Sequence, residues 1–164
     1  MKINRALLAN GVSKEFEEDI DFSSTSFDQT HIRKISSCHV KAVATDYETI
    51  LRIELTINAV VIGVCSYSLE DVELKLKIND EINFSDDEED VDNYYEKGNI
   101  IDLDPYILGI LLANVPVRIV KKGAKLPENG KGYRVISQDE FDQENAKKGH
   151  PGFDILDSVE FDED

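Results

Sequence analysis

"ILRIELTIN" (residues 50–58) decides the fold: Leu51, Ile53, Leu55 and Ile57 fall at every second position, with Arg52, Glu54 and Thr56 between them. Successive side chains of a strand point to opposite faces, so a period of two puts the aliphatic set in a core and the polar set in water. The pattern extends both ways. "CHVKAVA" (38–44) alternates Cys38, Val40, Ala42 and Ala44 with His39, Lys41 and Val43, and "DVELKLKIN" (71–79) alternates Val72, Leu74, Leu76 and Ile78 with Glu73, Lys75 and Lys77. "AVVIGVC" (59–65) is almost wholly apolar, as expected where both faces of a strand are covered. Links as short as "TDYE" (45–48) leave no room for a crossover, so the strands are expected to form antiparallel hairpins on one core.

Around this sheet the sequence supplies less regular pieces. Ile3, Phe16, Ile20 and Phe22 mark short N-terminal strands joined by turns. "DLDPYILGILLANVP" (102–116) reads as a helix with Asp104 capping the first turn, Pro105 at the first helical position and Pro116 as its stop. Its apolar residues run nearly all the way round, which predicts a buried helix. Residues 117–137 read as an extended piece at Val117 and Ile119, a loop rich in Gly, Pro and Asn, and a second short strand at "YRVI" (133–136). Residues 138–149 favour a solvated helix ending at Gly149. An acidic C-terminal tail covers 142–164, with Phe153, Ile155 and Leu156 as docking residues. The expected class is α+β: a single domain over 1–164, built on an antiparallel sheet with one buried short helix and a C-terminal helix and tail. Whether the sheet closes into a barrel is left open.

Charge is unevenly spread. The chain of 164 residues has a formal net charge of -16, yet residues 105–137 hold six basic groups and one acidic group. The acidic groups crowd into a loop at 85–98, "SDDEEDVDNYYEKG", and into the C-terminal tail. Like charges at that density favour a solvated loop. A calcium loop over Asp86, Asp87, Glu88, Glu89, Asp90 and Asp92 lacks the glycine at its sixth position and the spaced oxygen ligands. An anionic body repels nucleic acid at long range, so any RNA contact must be local. The candidate RNA-binding residues are Arg118, Lys121, Lys122, Lys125, Lys131, Tyr133 and Arg134: the cations for phosphate, the tyrosine ring for stacking on an unpaired base.

Other chemistry finds little support. His31, His39 and His150 share no motif with a nucleophile, and no glycine motif cradles phosphate, so no enzyme is expected. Cys38 and Cys65 read as buried thiols of a reducing compartment, and with His39 they lack a fourth metal ligand. No cofactor is expected. With no apolar leader behind Met1 and no apolar run of about 18 residues, the expected location is cytoplasmic, with no membrane contact. The sequence does not fix the oligomeric state.

The ordered set "VCSYSLEDVELKLKI" (64–78), the acidic insert, "IDLDPYILGILLANVPVRIV" (101–120), "GKGYRVISQDEF" (130–141) and "HPGFDILDSVEF" (150–161) resembles the YceD family, the large ribosomal RNA subunit accumulation proteins, in its Gram-positive branch. The resemblance covers roughly residues 35–160. It implies a non-enzymatic accessory factor in accumulation and processing of large-subunit ribosomal RNA and in ribosome assembly, with ribosomal RNA or a pre-ribosomal particle as partner. Many relatives carry C-x-x-C at the start of the "SLEDV" segment and further cysteines after the helix, a pattern like a zinc site. Here Cys65 matches the first cysteine, Ser68 stands in place of the second, and 116–132 has none, so no metal is expected. The tail's usual Asp-Pro-Arg is His150, Pro151, Gly152, which loses a cation. The alternative function is an acidic protein-binding module that screens a basic ribosomal protein.

Overall fold

The computed structural model describes residues 1–27 and 31–148. Its centre is a meander of three long antiparallel strands, β3 (Ile32–Asp46), β4 (Ile50–Val64) and β5 (Asp71–Ser85). The alternation in the sequence becomes alternation in burial. Leu51, Ile53, Leu55, Ile57, Ala59 and Val61 of β4 are almost fully buried, while Arg52, Glu54 and Asn58 are exposed. Register sets Ile57 between Val40 and Ile78, and Ile53 between Ala44 and Ile82. The reverse face of "AVVIGVC" is only half-covered at Val60, Ile62 and Val64, so this strand is not sealed on both sides.

The flanking elements complete the class. β1 (Lys2–Asn4) pairs with β7 (Ile100–Asp102) in a separate two-stranded sheet, and a 3₁₀ turn (Arg5–Leu7) follows β1. β2 (Lys14–Asp19) lies antiparallel to β3 at one edge, and β6 (Tyr94–Tyr95) runs parallel to the end of β5 at the other. The order β2-β3-β4-β5-β6 leaves both edges open, so the sheet does not close into a barrel. The molecule is α+β.

Helix α1 (Asp104–Asn114) departs from the sequence expectation in two respects. Leu103 occupies the cap position with helical backbone angles and no side-chain cap bond. The Asp104 carboxylate is drawn instead to the α-amino group of Met1, and Asp102 Oδ1 accepts from the Asp104 N–H at 3.1 Å. The burial is also one-sided: Ile107 and Leu111 are buried, Tyr106, Leu108 and Ile110 are half-buried, and Leu112 is exposed. The core joins Ile107 and Leu111 to Ile3, Ile101 and Leu103 and to the inner residues of β3, β4 and β5.

The chain divides into two compact units, parting between Lys121 and Lys122. No strand forms at Val117–Ile119, at the end of the first unit, or at Tyr133–Ile136 in the second, where among the described residues a single bridge joins Gly130 and Tyr133. Helix α2 (Gln138–Lys148) begins with a capping box, in which the Glu140 N–H donates to Ser137 Oγ at 3.1 Å and the Ser137 N–H to Glu140 Oε2 at 3.0 Å. The tail expected from 142 is thus helical as far as Lys148. Gly149 and the docking residues Phe153, Ile155 and Leu156 lie outside the described residues.

Truncating the inner face of β4 tests the architecture. Ile57→Ala is expected to lower unfolding free energy by about 2–5 kcal/mol, and Glu54→Ala on the opposite face by less than about 0.5 kcal/mol, in chemical denaturation of the full chain.

Candidate functional site

The basic segment leaves the first unit over a fixed anchor. Ile119 is buried because Gly63 on β4 makes room for it: a Cβ at Gly63 would collide with Ile119 Cδ1. The Ile119 carbonyl accepts from the Ser66 N–H at 2.8 Å, and His31 Nε2 lies 2.9 Å from the Pro116 carbonyl oxygen. These contacts seat 116–121 against the turn between β4 and β5. Leu69 holds that turn with a left-handed backbone (φ 59°), while its N–H donates to the Cys65 carbonyl at 3.0 Å.

On this seat the side chains of Arg118 and Lys121 are already occupied. The Arg118 guanidinium stacks 4.9 Å from the centre of the Tyr67 ring and donates to its hydroxyl. Lys121 Nζ lies 3.0 Å from Glu70 Oε2, which also accepts from Ser68 Oγ at 3.1 Å. Those two bonds, the lysine's first, hold the Glu70 carboxyl below its ordinary range.

The same turn encloses Cys65. Its sulfur is buried, but it accepts from the Lys121 N–H at 3.3 Å and the Ser68 N–H at 3.5 Å. Backbone donors aimed at sulfur favour the thiolate, and they outweigh burial here: led by the Lys121 N–H, they bring the thiol down to about 6. Cys38, in the apolar core, shows the opposite balance, and burial pushes it up to about 11. Both cysteines are free. Among the described residues no group of three or more His, Cys, Asp or Glu side chains is placed to hold a metal ion.

The remaining candidates belong to the second unit. The Asn129 side chain accepts from the Val135 N–H at 2.6 Å and closes a turn in which the Tyr133 phenol occupies the space a Cβ at Gly130 would need; Gly132 takes φ +93° at its tip. This turn presents Lys131 and leaves Tyr133 64% exposed. Arg134 is paired with Glu144 of α2, which raises its already high pKa. Lys122, Lys125 and Lys131 are exposed and make no ion pair or hydrogen bond among the described residues.

The seven candidates therefore fall into two sets. Arg118 and Lys121 belong to the first unit and Lys122, Lys125, Lys131, Tyr133 and Arg134 to the second. Three of the six cations have partners that sequence reasoning missed: Tyr67, Glu70 and Glu144. Glu70 sits 51 positions from Lys121, a separation at which no local spacing rule applies.

Two carboxylates of the acidic loop serve its own backbone. Asp87 Oδ1 accepts from the Glu89 N–H at 3.0 Å and Asp90 Oδ1 from the Asp92 N–H at 3.1 Å; the Asn93 amide, donating at 2.8 Å, holds the Asp90 carboxyl below its ordinary range. The loop then re-enters the fold through an aromatic cluster. The Tyr94 and Phe84 rings each lie 4.9 Å from that of Tyr106 and 6.0 Å from each other, and the Tyr106 hydroxyl donates to Glu96 at 2.7 Å. Burial and that carboxylate push Tyr106 up to about 12.

The chain is similar to the uncharacterized protein YlbN of Bacillus subtilis (strain 168), at 29% identity over 137 residues, covering 78% of this chain and 79% of that protein. No family model matches, and no solved structure matches.

The thiolate at Cys65 carries a pH signature. Its pKa is lowered on folding from 9.0 to about 6, so its contribution to stability is present above the ordinary thiol range and is lost as pH falls toward about 6. The stability difference between the wild type and Cys65→Ser is expected to grow from pH 6 to pH 9, read by urea unfolding at each pH. A difference independent of pH contradicts this account of the turn.

Proposed function

We propose that this chain is a non-enzymatic accessory factor of the YceD type, acting in the cytoplasm on large-subunit ribosomal RNA or a pre-ribosomal particle. The observation that carries the reading is the group Lys122, Lys125 and Lys131: exposed, with no carboxylate partner among the described residues, in the same unit as an exposed Tyr133. Cations without partners release counterions from phosphate, and a free phenol ring stacks on unpaired bases. Arg118, Lys121 and Arg134 contribute less, because RNA has to displace Tyr67, Glu70 or Glu144 first. The net charge of -16 keeps affinity moderate, which suits a factor that binds and leaves. No helix among the described residues is long and apolar enough to cross a membrane.

A second reading rests on the acidic loop. The side chains of Asp86, Glu88 and Glu89 are exposed and make no ion pair among the described residues, which suits a module that screens a basic ribosomal protein. Deleting 86–92 separates the two, since the RNA reading expects binding to survive it.

The direct test is titration of large-subunit ribosomal RNA fragments at several salt concentrations. Binding is expected to fall with salt at a slope of roughly -0.7 per phosphate engaged, about -2 for three lysines. The combination K122E, K125E and K131E is expected to abolish binding, Lys121→Glu to leave most of it, and Tyr133→Ala to cost about 1–3 kcal/mol. Binding unchanged in the triple variant overturns the proposal.

A further inference from the structure

Among the described residues nothing pairs with the long edge of β5 before Phe84. From Asp71 to Asn83 it pairs with β4 on one side; on the other, β6 reaches only Phe84 and Ser85. Among the described residues no other backbone group bonds to 71–83. Such a row of unpaired N–H and C=O groups is a template for another strand unless charge or a bulge protects it. The second half is protected: the Glu81 N–H is taken by Asp80 Oδ1 at 2.8 Å, Asp80 and Glu81 would repel an acidic neighbour, and the acidic loop follows. The first half, 71–77, is charged too, but with both signs, in an order that a second copy can complement.

Its side chains have a specific symmetry. On the outer face the charges run Asp71, Glu73, Lys75, Lys77, two negative and then two positive, changing sign across Leu74. On the inner face Val72, Leu74 and Leu76 are half-buried, packed against the core on one flank only. We propose that two copies of this chain pair these edges antiparallel about a two-fold axis at Leu74, joining two sheets into one. In that register Glu73 faces Lys75 of the other copy and Asp71 faces its Lys77, each pair occurring twice, while Val72 faces Leu76 and Leu74 faces its equivalent. A two-fold axis makes the same patch serve both partners, so a sequence that changes sign about its centre complements itself.

Neighbouring registers fail. Centring on Lys75 or Glu73 sets that charge against its own copy, and centring on Leu76 sets Lys75 against Lys77. Like charges directly opposite destabilise a ladder and opposite charges support it, at Cβ separations of about 4.5–5.5 Å. The existing partners are easily exchanged, since Lys75 meets Glu73 at 3.6 Å and Arg33 meets Asp71 at 3.7 Å, all well exposed. Repulsion between two bodies of charge -16 opposes the pairing, but it acts over longer distances than the ladder and is screened beyond a Debye length of about 8 Å at physiological salt. The dimer is accordingly concentration-dependent.

The test is sedimentation equilibrium of the full chain at physiological salt over rising protein concentration. The wild type is expected to show a monomer–dimer equilibrium. The pair D71K/E73K and the pair K75E/K77E, whose exposed positions leave the fold intact by circular dichroism, are each expected to be monomeric. Mixing the two, or combining all four substitutions in one chain, is expected to restore dimers. A monomeric wild type, a dimer that survives both double reversals, or double variants that do not recover on mixing each overturn the proposal.

Discussion

Burial of one face of β4 is the constraint on which the first unit depends. Its inner residues, from Leu51 to Val61, lie between β3 and β5 and are excluded from water along the whole strand. Side-chain period is fixed at two, so a slip of one residue would turn all of them outward and bring Arg52 and Glu54 into the core. That penalty locks the register of β3 and β5. The locked register in turn places Gly63 where a side chain is missing, and Ile119 enters that notch. Residues 116–121 thus inherit their position from the strand.

Electrostatics follows the same logic of local pairing in an anionic chain. Cations close to the first unit's turn or to α2 find Glu70 or Glu144, while those on the Gly-rich stretch between have none among the described residues. The acidic loop engages two of its carboxylates, Asp87 and Asp90, with its own amides, which gives its dense charge local hydrogen-bond donors. Cys65 shows how strongly such donors act: a fully covered sulfur is held toward the thiolate by N–H groups, where Cys38 in apolar surroundings stays a thiol.

The long strands were legible because their signal is local: alternation at Leu51, Ile53, Leu55 and Ile57 needs no knowledge of a partner. The class, the N-terminal short strands and α2 followed from similarly local cues. What escaped depends on distant residues. Asp104 has the chemistry of a cap, but the α-amino group of Met1 competes for it across 103 positions. Ile119 resembles a strand residue by its spacing with Val117, yet it is buried by a notch on another strand, and Val117 is 90% exposed. The basic cluster was legible as composition only; its partners at Tyr67, Glu70 and Glu144 were not, since contact between residues far apart in sequence is decided by the fold.

Under the proposed function, exposed Lys122, Lys125, Lys131 and Tyr133 of the second unit bind RNA in a chain of net charge -16. Ultraviolet crosslinking in living cells, followed by identification of the crosslinked peptide and RNA, tests it most directly. The account expects large-subunit ribosomal RNA attached within 122–134, at Tyr133 or beside the unpaired lysines. RNA attached elsewhere on the chain, or none at all, contradicts it.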